Sequence, residues 1–402
     1  MIPTAFATGF ALFPGAKQAR VAAILGMVAM CAPAFGPTVG GYITELLDWR
    51  WLFFINLLPG LMLVLLVPRL VRVDRPDFSL LKRFDFFGMA TIALFLGCLQ
   101  YVLDEGPRNG WFEDAAMLRL FCISMAAGVL FIWRSLSYDE PLVDLRAFRN
   151  RNFTLGCMLS FVIGVSLYGM VYLTPLFLGH VRGWNSMQVG STVFVFGLSQ
   201  VLATPFIAFI SRKIDARWLL AFGFSLYIVS TWLLCDITSQ WGFDQLLLSQ
   251  ILRGIASMTC IVIVTNVALG ALTPAELKGA SGLYNLMRNL GGAIGLAALN
   301  TQLFYNRFEL HYDRLASGFT AGRLGRGAAA ARLEEHFERI TTDPDAATHE
   351  AASMLARMVS REAYTLSFAD MFLLVGSCFF AALLLIPLVR STANQSTAIV
   401  SE

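Results

Sequence analysis

Apolar runs of about twenty residues, the length that crosses a bilayer core, follow one another along almost the whole chain, separated by short polar breaks. Ten of them read as complete spans, at roughly 21–46, 51–69, 86–103, 115–136, 153–179, 186–210, 217–235, 244–272, 279–302 and 365–389. One further run, 1–14, is apolar but too short to cross. No charged segment precedes it as in a signal peptide, so it reads as the latter half of a helix. The pattern predicts an all-α, polytopic membrane protein of ten complete spans and one half span.

The short loops alternate in charge. Lys17 and Arg20 come first, then Arg69, Arg72, Arg75, Lys82 and Arg83, then Arg134, Arg146, Arg149 and Arg151, then Arg212, Lys213 and Arg217, and finally Lys278. The intervening short loops hold only Arg50, Arg108, Arg119 and Arg182. The positive-inside rule puts the first set in the cytoplasm. An even number of spans then leaves the C-terminus on the same side, and the long segment 303–364 outside.

Composition adds exclusions. The chain is 57% hydrophobic and only 14% charged, against about 25% charged in soluble proteins. Its seven cysteines lie inside apolar runs without a CxxC pair, as small hydrophobes do. The four histidines are scattered, so no metal site is indicated. No nucleophile–base pair or phosphate-cradling loop is present, which argues against an enzyme and against a cofactor. Expected partners are lipid and small hydrophobic molecules, not nucleic acid.

The most informative stretch is "APAFGPTVGGYITELLDWRWLFFINLLPG", residues 32–60, where glycine and proline crowd an apolar span. On a helical wheel Ala22, Gly26, Ala29, Pro33, Gly36 and Gly40 share one face. Helices in lipid associate by close backbone packing, which such small-residue faces permit. Pro33 and Pro37 remove two backbone donors and bend the helix. The reading is a kinked helix pressed against a partner, in which leucine at Gly36 or Gly40 forces the two backbones apart. A shift of 258 residues lays Lys278 on Arg20, Gly291 on Pro33, Gly295 on Pro37 and Ala298 on Gly40, an internal echo of the kind parallel repeats leave.

The spacing GPxxGG (Gly36, Pro37, Gly40, Gly41), with Pro33 before it and "WRWLFFIN" and "PG" after, closely resembles the antiporter motif of the major facilitator superfamily, in its fourteen-helix drug/proton antiporter branch, the EmrB/QacA type. "LQYVLDEGPRNGW" (99–111) and "PLVDLRAFRNRNFTLGC" (141–157) are similar to that branch's patterns around its two extra central helices. "LYNLMRNLGGAIGLAALN" (283–300) resembles its thirteenth helix. The resemblance implies that 21–46 is the fifth helix of fourteen, that helices one to three are missing, and that the sequence is N-terminally incomplete, through a misplaced start codon or a real deletion. A weaker copy of the family's cytoplasmic motif stands at "AFISRKIDAR" (208–217), with Ala208 where the family prefers glycine. The expected division is 1–70, the remainder of the N-terminal bundle; 71–152, the two extra helices and their loops; 153–390, a six-helix C-terminal bundle including the external loop; and 391–402, a cytoplasmic tail.

Charges inside a span need a partner or water. Arg288, flanked by Asn285 and Asn289, makes a structural or gating contact, lines the substrate path, or snorkels to the cytoplasm. Arg253 opens an "RG" pair that echoes the arginine of the family's fourth helix, which makes it a candidate for coupling or gating. Asp104 is an exposed helix-end charge unless burial gives it a coupling role, and Asp85 reads as a helix N-terminal charge. Tyr168, Met170, Tyr172, Met258 and Asn266 lie on helices that line the cavity in the superfamily, although the same residue types suit plain packing. His180 reads as interfacial. In the loop 303–364, Leu333, Phe337 and Ile340 recur at helical spacing, and a second amphipathic stretch follows near 345–362; this is a helical cap or a docking surface for a periplasmic adaptor.

The resemblance implies export of hydrophobic drugs in exchange for protons across the cell's inner membrane. Two alternatives remain at this point: an exporter of one metabolite, such as a siderophore or organic acid, and a membrane scaffold that no longer transports.

Overall fold

The computed structural model describes residues 35–70, 85–138, 143–211, 213–270, 272, 274–320 and 344–389. The described residues are helical, with no strand among them. Their helices are α1 (35–46), α2 (Trp51–Leu70, broken by a turn at Ile55 and Asn56), α3 (Phe86–Glu105), α4 (Ala115–Ser137), α5 (Arg151–His180), α6 (Ser186–Ile210), α7 (Ala216–Trp232), α8 (Phe243–Leu269), α9 (Pro274–Thr301), α10 (Phe308–Thr320) and α11 (Pro344–Leu383). Among the described residues, seven helical segments are long and apolar enough to cross a membrane by length and composition. Of the expected spans, α7 falls short at 17 residues, and α9 carries Glu276, Lys278 and Arg288. The expected span at 21–46 is described only from residue 35.

Polar residues at the starts set the boundaries. Asp85, Asp114, Asn150, Asn185 and Asp215 each accept a hydrogen bond from a backbone N–H of the turn that follows, which satisfies donors that a helix leaves open. Asn185 and Gln188 do so reciprocally, as a capping box. Asp85 does more than mark a terminus. It is buried, caps Gly88 N–H at 2.9 Å, and takes an ion pair from Arg134 Nε on α4 at 3.1 Å. With Ser124 donating to the Phe95 carbonyl at 2.8 Å, this pair clamps α3 to α4.

Helices α5, α6, α7, α8, α9 and α11 form one packed body. Helix α8 lies against α5, α6 and α7, α9 runs along α5, and α11 packs on α7 and α5. Its core is aromatic: Tyr227 stacks on Phe379 at 3.9 Å, and Phe177 meets Phe368 edge-on at 5.6 Å. Helix α3 touches α9, while α2 has no buried residue.

The segment after α9 departs from the expected loop. Helix α9 runs through a π-helical segment, Gln302–Arg307, into α10. Helix α11 is a single helix of 40 residues, so the amphipathic stretch near 345–362 and the last span are continuous. The physical reason is that no proline interrupts 345–383. At 1.5 Å per residue such a helix is about 60 Å long, twice a bilayer core, so its first half stands clear of the hydrocarbon. Phe308 stacks on Tyr364 at 4.1 Å, and Asp370 holds His311 at 2.9 Å and Arg307 at 3.5 Å, which fastens α10 to α11. Leu333, Phe337 and Ile340 lie outside the described residues.

Candidate functional site

Two features of the packed body bear on transport: the seam where α1 meets it, and the polar groups inside it. The seam is made with α6. Gly41 is buried, and a Cβ there would sit 2.3 Å from the Ser186 carbonyl oxygen. Facing it, a Cβ on Gly190 would lie 2.8 Å from the Pro37 carbonyl oxygen and 3.1 Å from Thr38 Cα. Thr38 Oγ1 donates to the Gly190 carbonyl at 2.9 Å, and Phe35 tilts against Phe194 at 5.5 Å. Two backbones approach here as closely as glycine permits.

This moves the contact from the face that the wheel singles out. Gly36 is exposed and has no described atom within 4 Å of a Cβ position, and Gly40 meets only Leu52 Cδ2 at 3.7 Å. Pro37, Thr38 and Gly41, one position further round, carry the seam. Gly26 and Pro33 lie outside the described residues. Gly190 is the residue that the sequence reading missed; Ser186 and Gly190, four apart at the start of α6, were its only signal.

Inside the body, α5 and α9 are fused by glycines. A Cβ on Gly164 would fall 1.9 Å from the Arg288 carbonyl oxygen, and one on Gly291 would fall 2.1 Å from that of Phe161. This closeness lets side chains bridge the pair. Tyr168 donates to Asn289 Oδ1 and Tyr172 to Asn300 Oδ1, each at 3.1 Å, and the Tyr168 ring covers Gly292. Arg288 donates to Asn285 Oδ1 at 2.5 Å. Tyr168 and Tyr172 on α5 thus meet Asn289 and Asn300 on α9, the first pair at an exposed position, while Arg288 meets Asn285 within α9.

Met258 does not join these contacts. It is 3% exposed and packed with Ala203 and Ile207 between α8 and α6, because thioether and methyl groups fill that helix contact. Met170 is likewise buried. Asn266 is exposed on α8. Asp104 is exposed and accepts from Gln100 Nε2 with both oxygens at 3.0 Å, so the burial that a coupling role requires is not found. His180 packs near Phe304 and Tyr364 at the C-terminal end of α5.

Arg253 is set apart from all of these. It is 2% exposed at the centre of α8. Its guanidinium donates to Gln250 Oε1, makes a long 3.5 Å contact to Thr174 Oγ1 on α5, and lies 5.1 Å over the Phe196 ring on α6. Its Nε and the Gln250 Nε2 have no hydrogen-bond partner, and among the described residues no carboxylate ion-pairs with it. Buried charge without a counter-charge is costly, so this cation is held in place by α5, α6 and α8 together. Among the described residues, no cluster of three His, Cys, Asp or Glu side chains is placed to hold a metal.

Membrane-length helices, a glycine seam and a partly exposed polar stripe along α5 and α9 of an otherwise apolar body are the features of a multi-pass transporter. The chain belongs to the major facilitator superfamily, whose family model matches residues 1–296, and to its EmrB-type branch. Over 380 residues it is 34% identical to the colistin resistance protein EmrB of Acinetobacter baumannii, a match covering 94% of this chain and 73% of that relative. Over 323 residues it is 30% identical to the multidrug export protein EmrB of Escherichia coli K12, covering 80% of this chain and 63% of that protein. The fatty acid resistance protein FarB of Neisseria gonorrhoeae is 25% identical over 390 residues, covering 97% of this chain and 74% of FarB. These matches thus cover about three fifths to three quarters of the relatives' own lengths.

Proposed function

We propose that the protein exports hydrophobic drugs or other toxic small molecules in exchange for protons, as the inner-membrane component of a multidrug efflux system. The observation that carries this reading is the α1–α6 seam, where the antiporter-motif helix meets the packed body through Gly41, Gly190 and one hydrogen bond. The names of the relatives, colistin resistance and multidrug export, agree with it. The stripe of Tyr168, Tyr172 and the α9 amides offers aromatic faces and a few polar anchors, which suits varied apolar ligands. Arg253 and Arg288, with Asn285, are the groups proposed for gating or coupling: Arg253 is buried among α5, α6 and α8, and Arg288 donates to Asn285 one turn away on its own helix. The proposed division is the one expected at residues 70, 152 and 390, with the C-terminus cytoplasmic.

No nucleotide-binding motif is present in the sequence, so uphill export draws on an ion gradient. One charge moved through 100 mV supplies about 2.3 kcal/mol, equivalent to roughly a fiftyfold concentration ratio. One or two protons per cycle therefore suffice. The first half of α11, standing clear of the hydrocarbon, is the surface proposed for a periplasmic adaptor, with α10 fastened beside Tyr364 and Asp370 further along the same helix.

Everted membrane vesicles carrying the protein and energised by respiration should take up a fluorescent hydrophobic drug faster than empty-vector vesicles. A protonophore should abolish the difference. Uptake that persists with the protonophore present, or no uptake at verified expression, would refute proton-driven export by this protein.

A further inference from the structure

An apolar groove of about 400 Å³ opens on the outside of the body between α6, α7 and α8. Leu202, Phe206 and Ile210 line it from α6, Phe222 from α7, and Ile251 and Ile255 from α8. It lies away from the α1 seam: Phe206 is twelve residues beyond Phe194, about 120° round the helix. Leu202, Phe206 and Phe222 are more than half exposed, so the groove opens outward. Two hydroxyls reach it, but Ser199 donates to the Val195 carbonyl at 2.7 Å and Thr259 to the Ile255 carbonyl at 2.8 Å. Both are satisfied within their own helices, and nothing in the groove asks for a polar guest.

Its length and its mouth identify the guest. From Ser199 to Ile210 the groove runs about 16 Å at helical rise, half the hydrocarbon core and therefore one leaflet. It ends at the loop carrying Lys213, on the side that the positive-inside rule assigns to the cytoplasm. Lys213 is exposed, with its ammonium 4.4 Å from the Phe209 ring centre. Trp218, 75% exposed on α7, stands at the same level, where indoles favour the membrane interface. The acid of this loop, Asp215, accepts from the Arg217 N–H. A leaflet-long apolar slot with a cation at its headgroup end matches a lipid with a negative head, and the cytoplasmic leaflet is the anionic one.

We propose that this groove holds an acyl chain of an anionic phospholipid from the cytoplasmic leaflet, with the lipid phosphate at Lys213. The site is separate from the α5–α9 stripe, and its occupancy does not depend on transport.

The test uses the purified full chain in non-ionic detergent and a phosphatidylglycerol carrying a mid-chain diazirine. Photolysis followed by peptide mass spectrometry should place label on 198–210 and 248–259. Unlabelled phosphatidylglycerol should compete about fivefold better than phosphatidylcholine, the contribution expected of one surface lysine. Lys213→Gln should weaken that preference, leaving what Arg212 and Arg217 of the same loop supply, while the label stays. Ala203→Trp, at a buried lining position, should remove the label from both peptides; Ile255→Trp, at a half-buried lining position, serves if the first variant fails to fold. Equal competition by the two lipids, or label spread evenly over α3 and α4 as well, would mean an ordinary lipid annulus and overturn the proposal. Competition by an uncharged hydrophobic drug but not by phosphatidylglycerol would make the groove a substrate portal and overturn it equally.

Discussion

Adding one methyl group at Gly41 tests the seam. The new carbon would lie 2.3 Å from the Ser186 carbonyl oxygen and 3.1 Å from the carbonyl carbon, whereas close C···O contacts sit near 3.3–3.6 Å. Helix α1 must therefore retreat by about 1 Å from α6. That retreat stretches the 2.9 Å bond from Thr38 to the Gly190 carbonyl beyond hydrogen-bonding range. Overpacking costs about 1–3 kcal/mol, and the lost hydrogen bond accounts for about 1 kcal/mol of it. A midpoint of about 2 kcal/mol lowers the population of this packing roughly thirtyfold. Gly36→Ala is the control, because its methyl meets nothing within 4 Å and alanine is about 1 kcal/mol better than glycine in a helix. The assay is efflux of a preloaded dye from cells whose membrane levels of each variant are matched by immunoblot. Gly41→Ala should lose most of its export and Gly36→Ala should keep it. Wild-type efflux by Gly41→Ala would show that the seam is not part of the transport cycle.

Arg253→Leu should leave the protein at least as resistant to heating in detergent, since replacing an uncompensated buried charge by an apolar group is often neutral or stabilising. Its efflux should nevertheless fall at least about tenfold; unchanged efflux would assign Arg253 a purely structural role. Asp104→Asn should export normally, because its carboxylate is exposed and, among the described residues, bonds Gln100 alone, and a protonophore-insensitive variant would contradict this. Tyr168→Phe breaks the bond to Asn289 and should change the apparent KM for some substrates severalfold with little effect on others, by about one hydrogen bond's worth. A uniform loss across substrates would mean that the residue only supports packing. Asp85→Ala removes a helix cap and an ion pair together and should cost about 1–3 kcal/mol, read as a lower melting temperature; Asp85→Asn should recover the cap's part of it.

The helices were legible because lipid imposes one rule on the whole chain: every spanning segment must be apolar and about twenty residues long. Their starts could be read too, since Asp85, Asp114, Asn150, Asn185 and Asp215 stand where a cap is needed. The faces were harder to read. In a soluble helix the apolar stripe points to the core, but in lipid both sides of α6 are apolar, so periodicity cannot tell the α1 seam from the acyl groove. That is why the wheel placed the contact at Gly36 and Gly40 while the backbones meet at Pro37, Thr38 and Gly41. Met258 stayed open between packing and cavity for a related reason, because a flexible thioether fills a helix contact as readily as it lines a cavity. Polar residues were the more dependable guide. An asparagine or tyrosine inside a span must find a partner, and Tyr168 with Asn289 and Tyr172 with Asn300 found each other across α5 and α9. The same argument makes Arg253 the most informative residue of the body. Its Nε and its neighbour Gln250 Nε2 are buried and unpartnered in this arrangement, so any rearrangement that brings them an acceptor lowers the energy of the new state relative to this one. A group with that property can bias a transporter between its conformations without touching the substrate.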